Sequence, residues 1–195
     1  MRCTFASRFL AASLIAALGV IALPASAADV YEVDPVHSAF LYRVKHLGAS
    51  YSYGRFNEAS GSFTIDAADP AKNSIEIEVK TASIDTANKA RDKHLSGPDF
   101  FNATEFPTMT FKSTSFKKKE GETYEVTGDL TILGVTKSVT LDAEFVGVGK
   151  GQKGQQLAGW DATLVIDRTD FGMAFMPDAI GAEVTIRIGI EGAKK

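Results

Sequence analysis

Three histidines follow residue 27, and each has neighbours with which an imidazole could do chemistry. Asp34-Pro35-Val36-His37-Ser38 gathers the residue types of a Ser-His-Asp triad into one short stretch. A general base must hydrogen-bond the hydroxyl that it activates. In an extended segment His37 and Ser38 point to opposite sides, which forbids that contact. The chain also lacks a G-x-S-x-G nucleophile elbow. A local nucleophilic triad is therefore the weaker reading. Metal binding by His37, His46 and His94 would need ligands gathered from distant strands, because no H-x-x-x-H pair is present.

Two further stretches mimic functional motifs. Gly149-Lys150-Gly151-Gln152-Lys153-Gly154 matches the dinucleotide fingerprint in form, with Asp167 downstream. That fingerprint works only where a helix follows the glycines and meets the pyrophosphate with its N-terminus. Here the chain runs into Trp160–Ile166, which alternates as a strand, so the glycines read as a hairpin tip. Lys117-Lys118-Lys119 adjoins a turn and reads as a solvated hairpin end.

The segment from Thr86 to Phe106 is more informative. Charges at helical spacing run from Thr86, a candidate cap, to Leu95, and Gly97-Pro98 ends the helix. Arg91 and His94 share one face of it, at i and i+3. Phe100, Phe101 and Phe106 follow in an irregular stretch. Dense charge beside dense aromatics suits a lid over an apolar mouth, with a cation for a head group. The same residues would also serve an Arg91–Asp92 network that pins the loop to its scaffold. Both readings stay open, since loops on rigid scaffolds carry either role.

The elements that must position these residues are strands. Ile75–Lys80, Val126–Ile132, Val139–Phe145 and Val184–Ile190 alternate apolar and polar side chains, and Phe40–Val44 and Trp160–Ile166 do so less cleanly. Turn chemistry separates the runs at Asp69-Pro70, Lys119-Glu120-Gly121, Leu133-Gly134 and Gly147–Gly154. About eight amphipathic strands are expected by this count, and a single open sheet of them would leave its apolar face wet. The chain is expected to be all-β, an eight-stranded antiparallel barrel with a short helix and an aromatic loop near residues 86–106. Inward rows are expected to include Phe40, Tyr42, Phe63, Phe111, Leu130, Phe145 and Trp160. Pattern alone does not separate a filled barrel from a hollow one, and for an arbitrary small barrel a filled core is the better expectation.

Composition narrows the function. With 195 residues, a net charge of −3 and no basic block, the chain suits one domain and does not suit nucleic acid as its main partner. Arg2 and Arg8, an apolar run from Phe9 to Leu23 and Pro24-Ala25-Ser26-Ala27 have the order of a secretory leader. Residues 1–27 are expected to be removed on export, leaving a domain of residues 28–195. The single cysteine, Cys3, would go with the leader, so the exported chain would have no thiol and no disulfide. No later segment is long and apolar enough to span a bilayer as a helix.

A set of motifs in order along the chain then resembles the YceI-like family, polyisoprenoid-binding proteins of the bacterial periplasm. They include Asp34-Pro35-Val36-His37-Ser38, Val44-Lys45-His46-Leu47-Gly48, Arg91-Asp92-Lys93-His94-Leu95, Asp99-Phe100-Phe101, Phe106-Pro107-Thr108-Met109-Thr110-Phe111 and Arg168-Thr169-Asp170-Phe171-Gly172. The resemblance implies a lipocalin-like barrel around a long apolar cavity. It implies a non-covalent amphiphile of the polyisoprenoid, prenyl-quinone or fatty-amide type, no other cofactor and no established enzymatic activity. A homodimer is also among its implications. On this reading Phe40, Tyr42, Phe63, Phe111, Leu130, Phe145 and Trp160 form the wall, and Arg91, His94 and Arg168 the mouth or head-group site. One departure is visible: relatives often carry Asp before the Glu-Val that opens the last strand, where this chain has Ala182. A lipid-modifying enzyme and a structural protein with a filled barrel are the competing classes.

Overall fold

A computed structural model describes residues 28–195; the expected leader and Cys3 lie outside them. The strands are β1 (Asp29–Val33), β2 (Ala39–His46), β3 (Ser50–Phe56), β4 (Ala59–Ile65), β5 (Ser74–Lys80) and β6 (Ile84–Asp85). Helix α1 (Lys89–Leu95) follows, then β7 (Thr108–Lys118), β8 (Thr123–Ile132), β9 (Val135–Lys150), β10 (Gln156–Asp167) and β11 (Ile180–Lys194). The hydrogen-bonded order β1-β4-β5-β7-β8-β9-β10-β11 returns to β1 through a β1–β11 pairing, which closes an eight-stranded antiparallel barrel. The remaining strands extend this ring toward one end. β2 continues β1 along β11, β3 pairs with β2, and β6 pairs with β3. The expected barrel is therefore present, with its first staves broken into shorter pieces.

The break between β1 and β2 is the Asp34–Ser38 segment, which is a turn. Asp34 accepts the backbone N–H of Val36 and contacts His37 Nδ1, both at 2.8 Å. The Ser38 hydroxyl accepts from the Glu191 N–H at 3.1 Å and donates to the Glu191 carbonyl at 3.3 Å. It thereby satisfies the β11 backbone where the neighbouring strand is interrupted. Ser38 is engaged with main chain, and His37 with Asp34.

Turns fall where the residues demand them. Leu133 and Gly134 both have positive φ (51° and 71°), the geometry of a two-residue hairpin matched to strand twist. The glycine-rich stretch after Lys150 is a turn between β9 and β10, with no helix behind it. Lys117, Lys118 and Lys119 pair with Glu125, Glu122 and Asp142 at the β7–β8 tip, which neutralises that cluster. The helix starts later than its sequence implies. Asn88, not Thr86, caps it by accepting the Arg91 N–H at 3.0 Å. Thr86 instead bonds Asp92 Oδ1 through both its N–H (2.8 Å) and its hydroxyl (2.5 Å).

One end of the barrel is plugged by aromatic rings. Trp160 packs on Phe145, Tyr124 and Phe116 with centroids 5.0, 5.2 and 5.8 Å away. Beyond it Tyr31 and Phe63 stack at 5.1 Å, nearly parallel. Rings in these offset and edge-on arrangements fill space densely and hold it closed.

Gly61 is the backbone position that the β4–β5 seam depends on. Its φ of 152° is accessible to glycine alone, and a Cβ there would collide with the Glu76 carbonyl of the facing strand. Gly61→Ala is expected to cost at least ~2 kcal/mol from backbone strain alone, lowering Tm by about 4–8 °C. Thermal unfolding followed by circular dichroism checks this; an unchanged Tm contradicts it.

Candidate functional site

Above the aromatic floor the barrel is hollow. A cavity of about 450 Å³ runs from Trp160, Leu141 and Ile190 up to α1 and the aromatic loop, inside the 300–1,000 Å³ range of small-molecule sites. Its wall is the inward row of the strands, with Ile77, Phe111, Leu130, Leu164, Ile186 and Ile188 among its apolar members. Two of its large rings lie over glycines on the adjoining strand. A Cβ at Gly54 would overlap the Tyr42 ring, and one at Gly128 the Phe111 ring. Those glycines let the rings lie flat against the sheet and leave the interior open.

The helix and the loop after it cover the open end. Phe100 is buried and Phe101 packs edge-on against Phe56 at 5.4 Å. Phe175, from the loop before β11, packs edge-on against His94 and Phe100 at 5.7 and 5.4 Å. Phe100 and Phe101 both line the cavity, as the lid reading required; Phe106 lies instead against Gly134, away from it.

Arg91 donates from Nε to Thr86 Oγ1 (2.8 Å) and from Nη2 to the Thr86 carbonyl (2.7 Å). Thr86 in turn holds Asp92, so the helix is pinned to β6 and Arg91 still borders the cavity. The pinning network expected between Arg91 and Asp92 thus runs through Thr86, and the same arginine stands on the cavity border. His94 Nε2 lies 3.2 Å from Asp99 at the exposed rim.

Arg168 differs in kind. It is only 4% exposed and donates to three main-chain carbonyls, Met173 (2.6 Å), Ile180 (2.8 Å) and Gly181 (2.9 Å). These bonds gather both ends of the loop that carries Phe175. Burial pushes its pKa down, opposed by the charge of Asp167.

Of the ten residues that the sequence placed at the site, eight border the cavity: Phe40, Tyr42, Phe111, Leu130, Trp160, Arg91, His94 and Arg168. Phe63 and Phe145 do not. Phe63 belongs to the closed end, stacked on Tyr31 and seated over Gly192. Phe145 faces Trp160 across a bulge at Gly159/Trp160 and lies on the far side of the indole. Alternation says which face a residue occupies but not how far along the barrel axis it sits. Sequence reasoning also missed His46, Phe56, Phe171 and Met173 in the lining. Phe56 and His46 end strands, and Phe171 and Met173 sit beyond one, where period-two patterning stops.

Among the described residues one mixed cluster could hold a metal ion: Asp34, His37 and Glu191, with ligand atoms within 4.8 Å of one another. It lies outside the cavity, and His37 is 63% exposed there. The Asp34 carboxylate raises the His37 pKa and is itself held low by that hydrogen bond.

The YceI-like domain family matches residues 31–192, nearly all of the described chain. The chain belongs to the YceI-like family. A UPF0312 protein of Photorhabdus laumondii is 43% identical over 181 residues, covering 91% of this chain and 94% of that protein. Among solved structures, BcnA of Burkholderia cenocepacia is similar with a TM-score of 0.75 at 26% identity, covering 82% of this chain and 98% of that one. A polyisoprenoid binding domain from Saccharophagus degradans shares the fold with a TM-score of 0.64 at 14% identity, covering 85% and 98%.

The YceI-like cavity sets one pH signature. Burial pushes the Tyr42 phenol up to about 12, with Arg91 opposing and Asp92 reinforcing the shift. A raised phenol pKa means that folding favours the neutral ring. Its stabilisation is complete below the unfolded value near 10 and is lost as pH rises toward 12, at ~1.4 kcal/mol per unit. Urea unfolding between pH 9.5 and 12 should therefore decline more steeply for the wild type than for Tyr42→Phe. Parallel pH profiles would contradict the burial of this hydroxyl.

Proposed function

We propose that this protein binds an amphiphile with a long apolar tail in its barrel and carries or stores it in the periplasm, after removal of residues 1–27. Polyisoprenoids, prenyl quinones and fatty amides are the candidate tails. The observation that carries this reading is the hollow apolar interior of about 450 Å³, plugged at one end and lidded at the other. A structural protein with a filled barrel would have no such space. Support also comes from family membership and from the S. degradans neighbour, which is described as polyisoprenoid-binding. Both favour a binding protein over an enzyme. Among the described residues no helix is long and apolar enough to cross a membrane.

The energetics suit a prenyl or acyl tail. Each methylene moved from water into an apolar wall contributes ~0.8 kcal/mol. Ten of them supply ~8 kcal/mol, and longer tails supply more, against the cost of association and of ordering the tail.

Trp160 is the only tryptophan in the chain and stands at the cavity floor, so it is a built-in reporter. Delipidated exported protein titrated with geranylgeraniol should show a saturable change in Trp160 emission. Ala162→Phe, which places a ring in the cavity wall, should weaken that binding at least tenfold while the protein still unfolds cooperatively. Mass spectrometry of organic extracts from freshly purified protein identifies the resident lipid. Protein that is reproducibly lipid-free and gives no saturable response overturns the reading.

A further inference from the structure

The β2–β3 hairpin carries a charge unlike that of the chain around it. Residues 39–57 hold three cations, Arg43, Lys45 and Arg55, and no Asp or Glu, although the whole chain has 24 acidic and 21 basic residues. Strand alternation turns Tyr42 and Val44 to the cavity and leaves Arg43, Lys45 and Arg55 exposed on the outer face. Among the described residues none of the three forms an ion pair, whereas Lys112, Lys117, Lys118, Lys119 and Lys194 elsewhere on the barrel all do. Two acids adjoin the patch. Asp85 is opposite Arg55, with its carboxylate engaged by the Ala87 N–H and by Asn57. Glu183 lies where the β11–β2 register shifts and is paired in the sheet with Asp167 on the far side.

Apolar and aromatic groups interleave with these cations. Cross-strand register sets Arg43 beside Tyr53 and Lys45 beside Tyr51, and Arg43 stacks over the Tyr51 ring at 4.6 Å. Tyr53 is 63% exposed, and Leu47 at the hairpin turn is 65% exposed. Such a face fits the head-group layer of an anionic bilayer. Tyrosine settles at that boundary, and each Lys or Arg near the surface strengthens binding about fivefold. The edge of β3 away from β2 is open over Ser50–Gly54, because β6 pairs only with Arg55 and Phe56. An open edge invites a second copy, but antiparallel pairing of two such hairpins would set cations against cations. The hairpin is also part of the cavity margin, which Leu41, His46, Ser52 and Tyr53 border.

We propose that the outer face of the β2–β3 hairpin docks this protein on anionic phospholipid bilayers. Arg43, Lys45 and Arg55 meet the phosphates, and Leu47, Tyr51 and Tyr53 enter the head-group layer. Docking sets the cavity margin against the membrane, and its use in loading the barrel rests on the lipid-binding reading above. The contact itself needs nothing in the cavity.

The test is co-sedimentation of the exported protein with sucrose-loaded vesicles. Vesicles of phosphatidylglycerol and phosphatidylcholine in equal parts should bind it at least about tenfold more tightly than phosphatidylcholine alone, and high salt should remove most of the difference. The triple variant R43Q/K45Q/R55Q should lose the preference while keeping its Tm and its Trp160 response to geranylgeraniol. K150Q/K153Q, in the β9–β10 turn near the plugged end, should bind as the wild type does. Equal binding to both kinds of vesicle overturns the proposal, as does an undiminished preference in the folded triple variant. A loss confined to K150Q/K153Q moves the contact to the other end and overturns it too. Should the triple variant fail to fold, K45Q alone should weaken anionic-vesicle binding about threefold, and no weakening overturns docking. Sedimentation velocity separates the remaining occupant: a dimer that the triple variant abolishes, with vesicle binding unchanged, gives the hairpin to a second copy and overturns docking. Anionic-vesicle binding without any geranylgeraniol response upholds docking and removes the lipid-binding reading alone.

Discussion

Strand β11 is the constraint on which the barrel depends. Along one edge its residues 183–193 pair with β10, and along the other it pairs first with β2 and then, from Gly192 to Lys194, with β1. Only a strand this long can receive two partners in succession on one edge. That double pairing converts an open sheet into a ring and removes its exposed edges at the plugged end. The Ser38 hydroxyl covers the gap between the two partners by bonding the Glu191 backbone. A break in the first stave is thus tolerated where it would otherwise leave the Glu191 N–H unmet, its carbonyl being met also by the Asp34 N–H at 2.8 Å.

Once the ring is closed, its interior cannot collapse, and the side chains decide what remains of it. At the plugged end three aromatic rings, Phe116, Tyr124 and Phe145, pack around Trp160 and fill the space. Higher up many of the inward strand residues are aliphatic, and the rings of Tyr42 and Phe111 lie flat over Gly54 and Gly128. The same stave spacing that packs solid around indole and phenyl rings is left empty by isoleucine, leucine and valine. Hollowness is therefore a consequence of where along the axis the large rings are placed. It does not require a different sheet.

This explains what the residues disclosed and what they withheld. Strict alternation in Ile75–Lys80 or Val184–Ile190 reports the inward face directly, so the class of fold and most of the wall were legible. Phe63 and Phe145 were assigned to the correct face but the wrong depth, because alternation is blind to position along the barrel axis. The bulge at Gly159/Trp160 shifts the register and carries no composition signal beyond a glycine. Segments without a period were harder still. Asn88 took the capping role expected of Thr86 because Thr86 was already committed to Asp92, a pairing that only the folded loop reveals. Arg168 read as a rim cation, but its three carbonyl partners arise from a loop closure that local sequence does not encode.

Those partners also bear on how affinity and selectivity would be divided between parts of a lipid-binding barrel. On the lipid-binding reading, the apolar wall would contribute most of the binding free energy and distinguish poorly between tails, since hydrophobic transfer is non-directional and scales with area. Discrimination must come from directional groups, and these sit at the lidded end. Arg168 holds the loop bearing Phe175, Phe175 packs on His94 and Phe100, and Arg91 holds α1 to β6. The cations that would meet a head group are therefore the side chains that fix the shape of the entrance. Rim geometry and charge recognition cannot vary independently in such an arrangement, because any change that moves Arg168 also moves the lid it supports.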